Sequence, residues 1–342
     1  MLWRIGWIMR LLFLVTIIAA LFRTSAAECS PEPEDAAWLD KTIKAWHAVR
    51  NDQLKLKPAN LPWIVLFDEK CVLNINPNLR QFVISNGQTP RTITLAGEKA
   101  TVYSARHDGN ILLPDSQKIP AQIVSFAAAY EGGKRSFFVA ALPSIWAKAE
   151  HLKGEKDLAT LVRGVYIHEL THTYHRNFFA RLSVLEKQLT DVEDFDDDVI
   201  QNIFSKDEIF RKAYVDEIAL ANAAVNEPGL EMKRKTAKRL LDAMKQRRKQ
   251  FYSGENKKFE EVEDIFLTME GVANWAGYRA AVGDGLSPQD ASRLIRRGGR
   301  KWSQEAGILL FMIIDPLMPN WQRTAFGDER VSIIDLLERA VR

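Results

Sequence analysis

The chain has 342 residues, 46% of them hydrophobic and 27% charged, a globular balance that excludes a disordered or collagen-like polymer and supplies core material for one large domain or two modest ones. Its formal charge of +3 is carried by the first 27 residues, which hold Arg4, Arg10 and Arg23 and no acid. The remainder is neutral and has no general field to steer it toward nucleic acid or an anionic membrane.

Residues 1–27 read as a cleaved signal peptide, with a basic start, an apolar run from Leu11 to Phe22, and the small residues Thr24-Ser25-Ala26-Ala27 at the expected cleavage site. The run is short of the roughly 20 residues a spanning helix needs. An uncleaved N-terminal anchor, helped by Trp3, Ile5 and Trp7, is the other reading and the one route by which the protein would meet a membrane. Export to the periplasm or beyond places Cys29 and Cys71 in an oxidising compartment, where one disulfide is the simple expectation and two separate thiols the alternative. Without a C-x-x-C spacing they do not build a zinc or iron–sulfur site.

After a short polar leader, Pro31 to Asp35, the helical spacing of Trp38, Ile43, Trp46 and Val49 predicts a first helix over 36–51. Strands are expected at 63–67, 81–85, 92–95, 101–104, 122–130 and 135–142, where β-branched and aromatic runs alternate with turn formers. The last two read as a hairpin closed by Glu131-Gly132-Gly133-Lys134. From 151 onward helices are predicted near 156–188, 207–226, 229–252, 257–282, 288–297, 303–314 and 330–341. The fold class is therefore α+β: a first helix and mainly β lobe over 28–150, and a helical lobe over 151–342.

Within the 156–188 helix stands His168-Glu169-Leu170-Thr171-His172, an H-E-x-x-H motif. Residues i and i+4 lie about 40° apart around a helix, so both imidazoles reach one ion and Glu169 stands beside them to take a proton from water. A third ligand is required. His175 and Phe178 occupy the positions where a metzincin needs glycine and a third histidine, which excludes that class.

A carboxylate from a later helix remains, and the chain offers Glu270 in Met269-Glu270-Gly271-Val272-Ala273-Asn274-Trp275. Here the sequence resembles the gluzincin-type zinc metallopeptidases, which combine H-E-x-x-H with a downstream glutamate in an E-G-x-A-like context. The resemblance implies Zn2+ held by His168, His172 and Glu270, with Glu169 as general base. Small residues at Gly271 and Ala273 suit two helices that must approach closely to share one ion. Where the family often carries an aspartate that orients a liganding histidine, this chain has Asn274, a neutral and weaker partner. Glu217 is the competing third ligand, its other reading being an ion pair on a charged helix. Tyr278 and His175 are candidates for stabilising a developing oxyanion.

Three further features bear on partners. An exposed edge at 135–142 would take an extended peptide as an added strand, whereas an internal strand would not. The acidic run Asp191 to Asp198 reads as a solvated loop, with calcium as the alternative, and Lys233 to Lys249 as an amphipathic surface helix balancing it rather than a nucleic-acid or lipid face. The expected activity is hydrolysis of a peptide or protein substrate; the alternatives are a catalytically inactive binding or envelope assembly protein on the same fold, and a metal-free component in which the motif is accidental.

Overall fold

A computed structural model describes residues 29–57, 60–79, 82, 90–326 and 332–342. The expected signal segment lies outside them, as does all of the expected strand 81–85 except Phe82, which is not in a strand.

Helix α1 (Pro33–Ala48) starts three residues earlier than the apolar spacing suggests, because the leader supplies its first turn. Pro33 sits where its missing N–H costs nothing, and Glu34 and Asp35 face the positive end of the helix dipole. A π-helical turn, Val49–Gln53, extends it.

Eight strands follow among the described residues: β1 (Trp63–Phe67), β2 (Cys71–Ile75), β3 (Arg91–Leu95), β4 (Glu98–Arg106), β5 (Asn110–Leu112), β6 (Lys118–Pro120), β7 (Ser125–Tyr130) and β8 (Arg135–Ala141). Six form a mixed sheet ordered β3-β4-β2-β1-β8-β7, and β5 and β6 pair separately. Only β1 and β8 run parallel; the other pairs in the sheet are antiparallel. β2 was not expected, since the polar Asn74 interrupts its apolar run; it is fixed by the turn before it, where Asp68 Oδ1 accepts from the N–H groups of Lys70 and Cys71. The disulfide Cys29–Cys71 ties the start of the described chain to this strand, with Cα atoms 5.6 Å apart.

The hairpin is present, but its free edge is on the other strand. β8 lies between β1 and β7, so of the two readings of 135–142 the internal strand is the one found, and the edge is β7, which is shorter than expected and begins at Ser125.

Helices α2 (Pro143–Trp146), α3 (Leu158–His172), α4 (Arg176–Glu186), α5 (Val199–Phe204), α6 (Glu208–Asn226), α7 (Leu230–Phe251), α8 (Lys258–Gly283), α9 (Pro288–Arg296), α10 (Trp302–Leu317), α11 (Gln322–Ala325) and α12 (Ile333–Val341) complete the described chain. The single helix expected over 156–188 is two, because the turn after His172 gives a carbonyl to the sheet: the Ser136 hydroxyl donates to Thr173 O at 2.8 Å. α10 runs through the expected break at Asp315-Pro316, since a proline in the last turn removes only a terminal hydrogen bond.

One continuous apolar core runs from α1 through the sheet into the helices. α3 is locked under the sheet by Tyr166, whose hydroxyl donates to Ala141 O at 2.8 Å and whose ring meets Phe138 and Trp38 edge-on. α7 is not the acid-balancing surface helix expected. Lys233, Arg247 and Arg248 are buried, and the two arginines pair with Glu217, Glu263 and Asp264 rather than with the 191–198 run. No helix among the described residues is long and apolar enough to cross a membrane.

Candidate metal centre

His168 and His172 project from the C-terminal half of α3, and Glu270 from the middle of α8, which crosses α3 closely. The ring nitrogens Nε2 of the two histidines are 2.9 Å apart. Glu270 Oε2 lies 3.3 Å from His168 Nε2 and Oε1 lies 3.1 Å from His172 Nε2. Glu169 also brings a carboxylate oxygen within 4.8 Å of both histidines.

The two imidazole nitrogens and the two Glu270 oxygens are spaced close to the roughly 3.3 Å that separates the ligands of a tetrahedral ion about 2.0 Å from each, the bond length of nitrogen and oxygen to a first-row divalent ion. The charges fit too. Burial opposes the charged form of His168, yet the Glu270 carboxylate lifts it to about 9. Glu270 is buried as well, and the two imidazoles nevertheless hold it well below the usual carboxylate range. The cluster thus retains a positive charge between rings and carboxylate, the charge a bound cation would supply on displacing the proton.

The outer partners orient the rings. His168 Nδ1 is 3.2 Å from Asn274 Oδ1, so the neutral amide can accept from the ring of this candidate ligand. His172 Nδ1 is 3.2 Å from His175 Nδ1. If His172 is to bind through Nε2, its Nδ1–H donates and His175 accepts, which requires His175 to be neutral. Burial and the adjacent His172 push His175 far down, in keeping with that assignment. His175 is 1% exposed and stacked on Phe326, a place behind a candidate ligand rather than beside a reacting carbonyl.

Glu169 is buried, and the loss of water raises its carboxyl against the pull of both imidazoles. Ser125, the first residue of edge strand β7, is close enough for its side chain to lower that carboxyl slightly. The base candidate therefore lies near the sheet edge.

Two expected site residues lie elsewhere. Glu217 forms a bidentate pair with Arg247 at 2.8 and 3.0 Å and belongs to the buried ion network, so its ion-pair reading is the one the structure gives. Tyr278 lines a separate cavity of about 700 Å3 with Trp275 and Arg279, which includes none of the residues above. Gly271 does permit a close helix approach, but to Gly307 of α10, not to α3.

Ser125 and Asp197 are the residues that sequence reasoning missed. Ser125 carries no signal, being the opening residue of a short strand. Asp197 lies in the run read as solvated, yet it is partly buried, accepts from Gln304 Nε2 at 3.1 Å, and is pushed up to about 6 by burial and the nearby Glu270. Asp198 is buried and paired with Lys301. The inner end of the run therefore folds against α10.

Comparison of the chain with protein-family models, with curated proteins and with solved structures finds no match.

Proposed function

We propose that the protein is an exported zinc-dependent peptidase of gluzincin type, cleaving peptide bonds in a protein or peptide substrate. The observation that carries this reading is the convergence of His168, His172 and Glu270 around one point, with Glu169 beside it and an open sheet edge near Glu169.

His168, His172 and Glu270 would hold the ion, two imidazoles and one carboxylate leaving room for a further ligand. Zinc in that position supplies Lewis acidity to the scissile carbonyl and to a water. Glu169 accepts the proton of the attacking water and returns it to the leaving amine. Its burial suits both roles, since a raised carboxyl gives up a proton nearer neutral pH. Asn274 and His175 hold the two rings in the tautomer that leaves each Nε2 free. β7 has no strand paired on its outer side among the described residues, and a substrate chain laid there would run past Ser125 toward Glu169. The Cys29–Cys71 disulfide supports an oxidising compartment.

The test is hydrolysis of casein and of a quenched-peptide library by zinc-loaded protein, with and without chelator, beside Glu169→Gln. The reading expects chelator-sensitive cleavage in the parent and none in the variant, with metal content unchanged. Full activity in Glu169→Gln overturns the mechanism, and an inactive zinc-loaded parent transfers the protein to the binding or assembly class.

A further inference from the structure

Asn274 also lines a cavity of about 370 Å3. Its polar lining is Asn274 and Gln304, the basic Arg296, Arg297, Arg300 and Lys301 from the end of α9 and the loop into α10, and His151 and Glu305. Two of the four cations are neutralised: Arg296 by Glu305, and Lys301 by Asp198. No ion pair or side-chain hydrogen bond engages Arg297 or Arg300 among the described residues. The loop that carries them is tightly wound, with left-handed backbone at Arg297, Gly298 and Gly299. Gly299 lies against the Glu305 side chain, where a Cβ would stand 3.0 Å from Cδ.

A second observation falls on the same residue. Asn274 spends its Oδ1 on His168, but its Nδ2 is buried with no partner. A buried amide N–H without an acceptor is costly, and the cavity that Asn274 lines is cationic. The group that satisfies both is an anion.

We infer that this cavity binds a carboxylate or small oxyanion, accepting from Asn274 Nδ2 and countering Arg297 and Arg300, and that its occupancy is felt at the metal centre through the Asn274 amide. An anion on Nδ2 polarises the amide and makes Oδ1 a stronger acceptor for the His168 Nδ1–H, so the neutral Asn274 then acts on the ring partly as a carboxylate does. The anion site stands on the cavity alone; the coupling rests on the zinc reading proposed above.

Calorimetric titration of metal-free protein with sulfate, in chloride-free buffer of low ionic strength, tests the site. One saturable sulfate per chain is expected, weakened about tenfold in Arg297→Gln/Arg300→Gln, whose exposed positions are tolerant of change. Absence of saturable binding, or equal binding by the double variant, overturns it. N-acetyl-glutamate amide distinguishes the source: if it displaces sulfate the occupant is a substrate's carboxylate side chain, and if it does not the occupant is a free inorganic anion. Zinc affinity measured by competition is then expected to tighten several-fold, up to about tenfold, with sulfate in the parent, and to stay unchanged in the double variant and in Asn274→Asp, which carries its own charge. A zinc affinity in the parent that ignores sulfate overturns the coupling. A chain that binds sulfate and no zinc removes the peptidase reading and leaves the anion site in place.

Discussion

Gly277 of α8 faces Gly164 of α3 with so little space that a Cβ on Gly277 would stand 3.0 Å from the Gly164 carbonyl oxygen. This contact sets the distance between the two helices that carry the candidate ligands. At the residue after Glu270, α8 presses more closely still on α10, where a Cβ on Gly271 would meet Gly307 O at 2.6 Å.

Alanine at these glycines should therefore act according to what it strikes. Gly271→Ala meets backbone and should cost about 2–3 kcal/mol while displacing the neighbouring Glu270. Gly277→Ala should cost less in stability and still weaken metal binding. Gly164→Ala meets Ile295 Cδ1 at 2.6 Å, the end of a flexible side chain, and should be the mildest. Chemical denaturation beside zinc titration of the three variants checks the order.

Glu217 and Glu270 are both buried glutamates in the helical region, and their replacement by glutamine should separate stability from metal binding. Glu217→Gln leaves Arg247 with a weakened partner set deep in the protein and should cost about 2–4 kcal/mol with zinc affinity intact. Glu270→Gln should lower zinc affinity by at least about a hundredfold. Denaturant midpoints of the metal-free proteins and competitive zinc titrations give the two readouts.

The helices and the His168-Glu169-His172 cluster were legible for one reason: both depend on spacing along a single helix. His168, Glu169 and His172 share one face of α3 whatever the fold, and Glu270 stood out by its small neighbours. The features that remained hidden depend on contacts between distant segments. Nothing local announces that Ser136 takes the carbonyl of Thr173 and splits a helix, that β8 is internal while β7 is the edge, or that His175 turns back behind His172. Gly271 was read as a contact residue correctly, but its partner, Gly307, lies on a helix whose placement the sequence does not state.

The buried network of α6, α7 and α8 has three carboxylates, Glu217, Glu263 and Asp264, for two guanidiniums, Arg247 and Arg248. The imbalance appears at Asp264: burial raises its carboxyl to about 6, although Arg248 at 2.6 Å opposes the shift. A carboxyl raised on folding holds its proton longer in the folded chain than in the unfolded one. Its contribution is fully present below about pH 4 and is lost as pH rises through about 6, a loss of up to about 3 kcal/mol. Asp264→Asn, which cannot ionise, should flatten the stability profile between pH 4 and 7. Denaturation of both proteins in metal-free buffer across that range measures the difference, and parallel profiles would count against the assignment.

We propose that His168, His172 and Glu270 form one metal site, and the zinc content of protein purified without chelator and dialysed against zinc, measured by elemental analysis beside His168→Ala, tests this. One zinc per chain in the parent and its loss in the variant is the predicted result; no zinc in either, or the same amount in both, would contradict it.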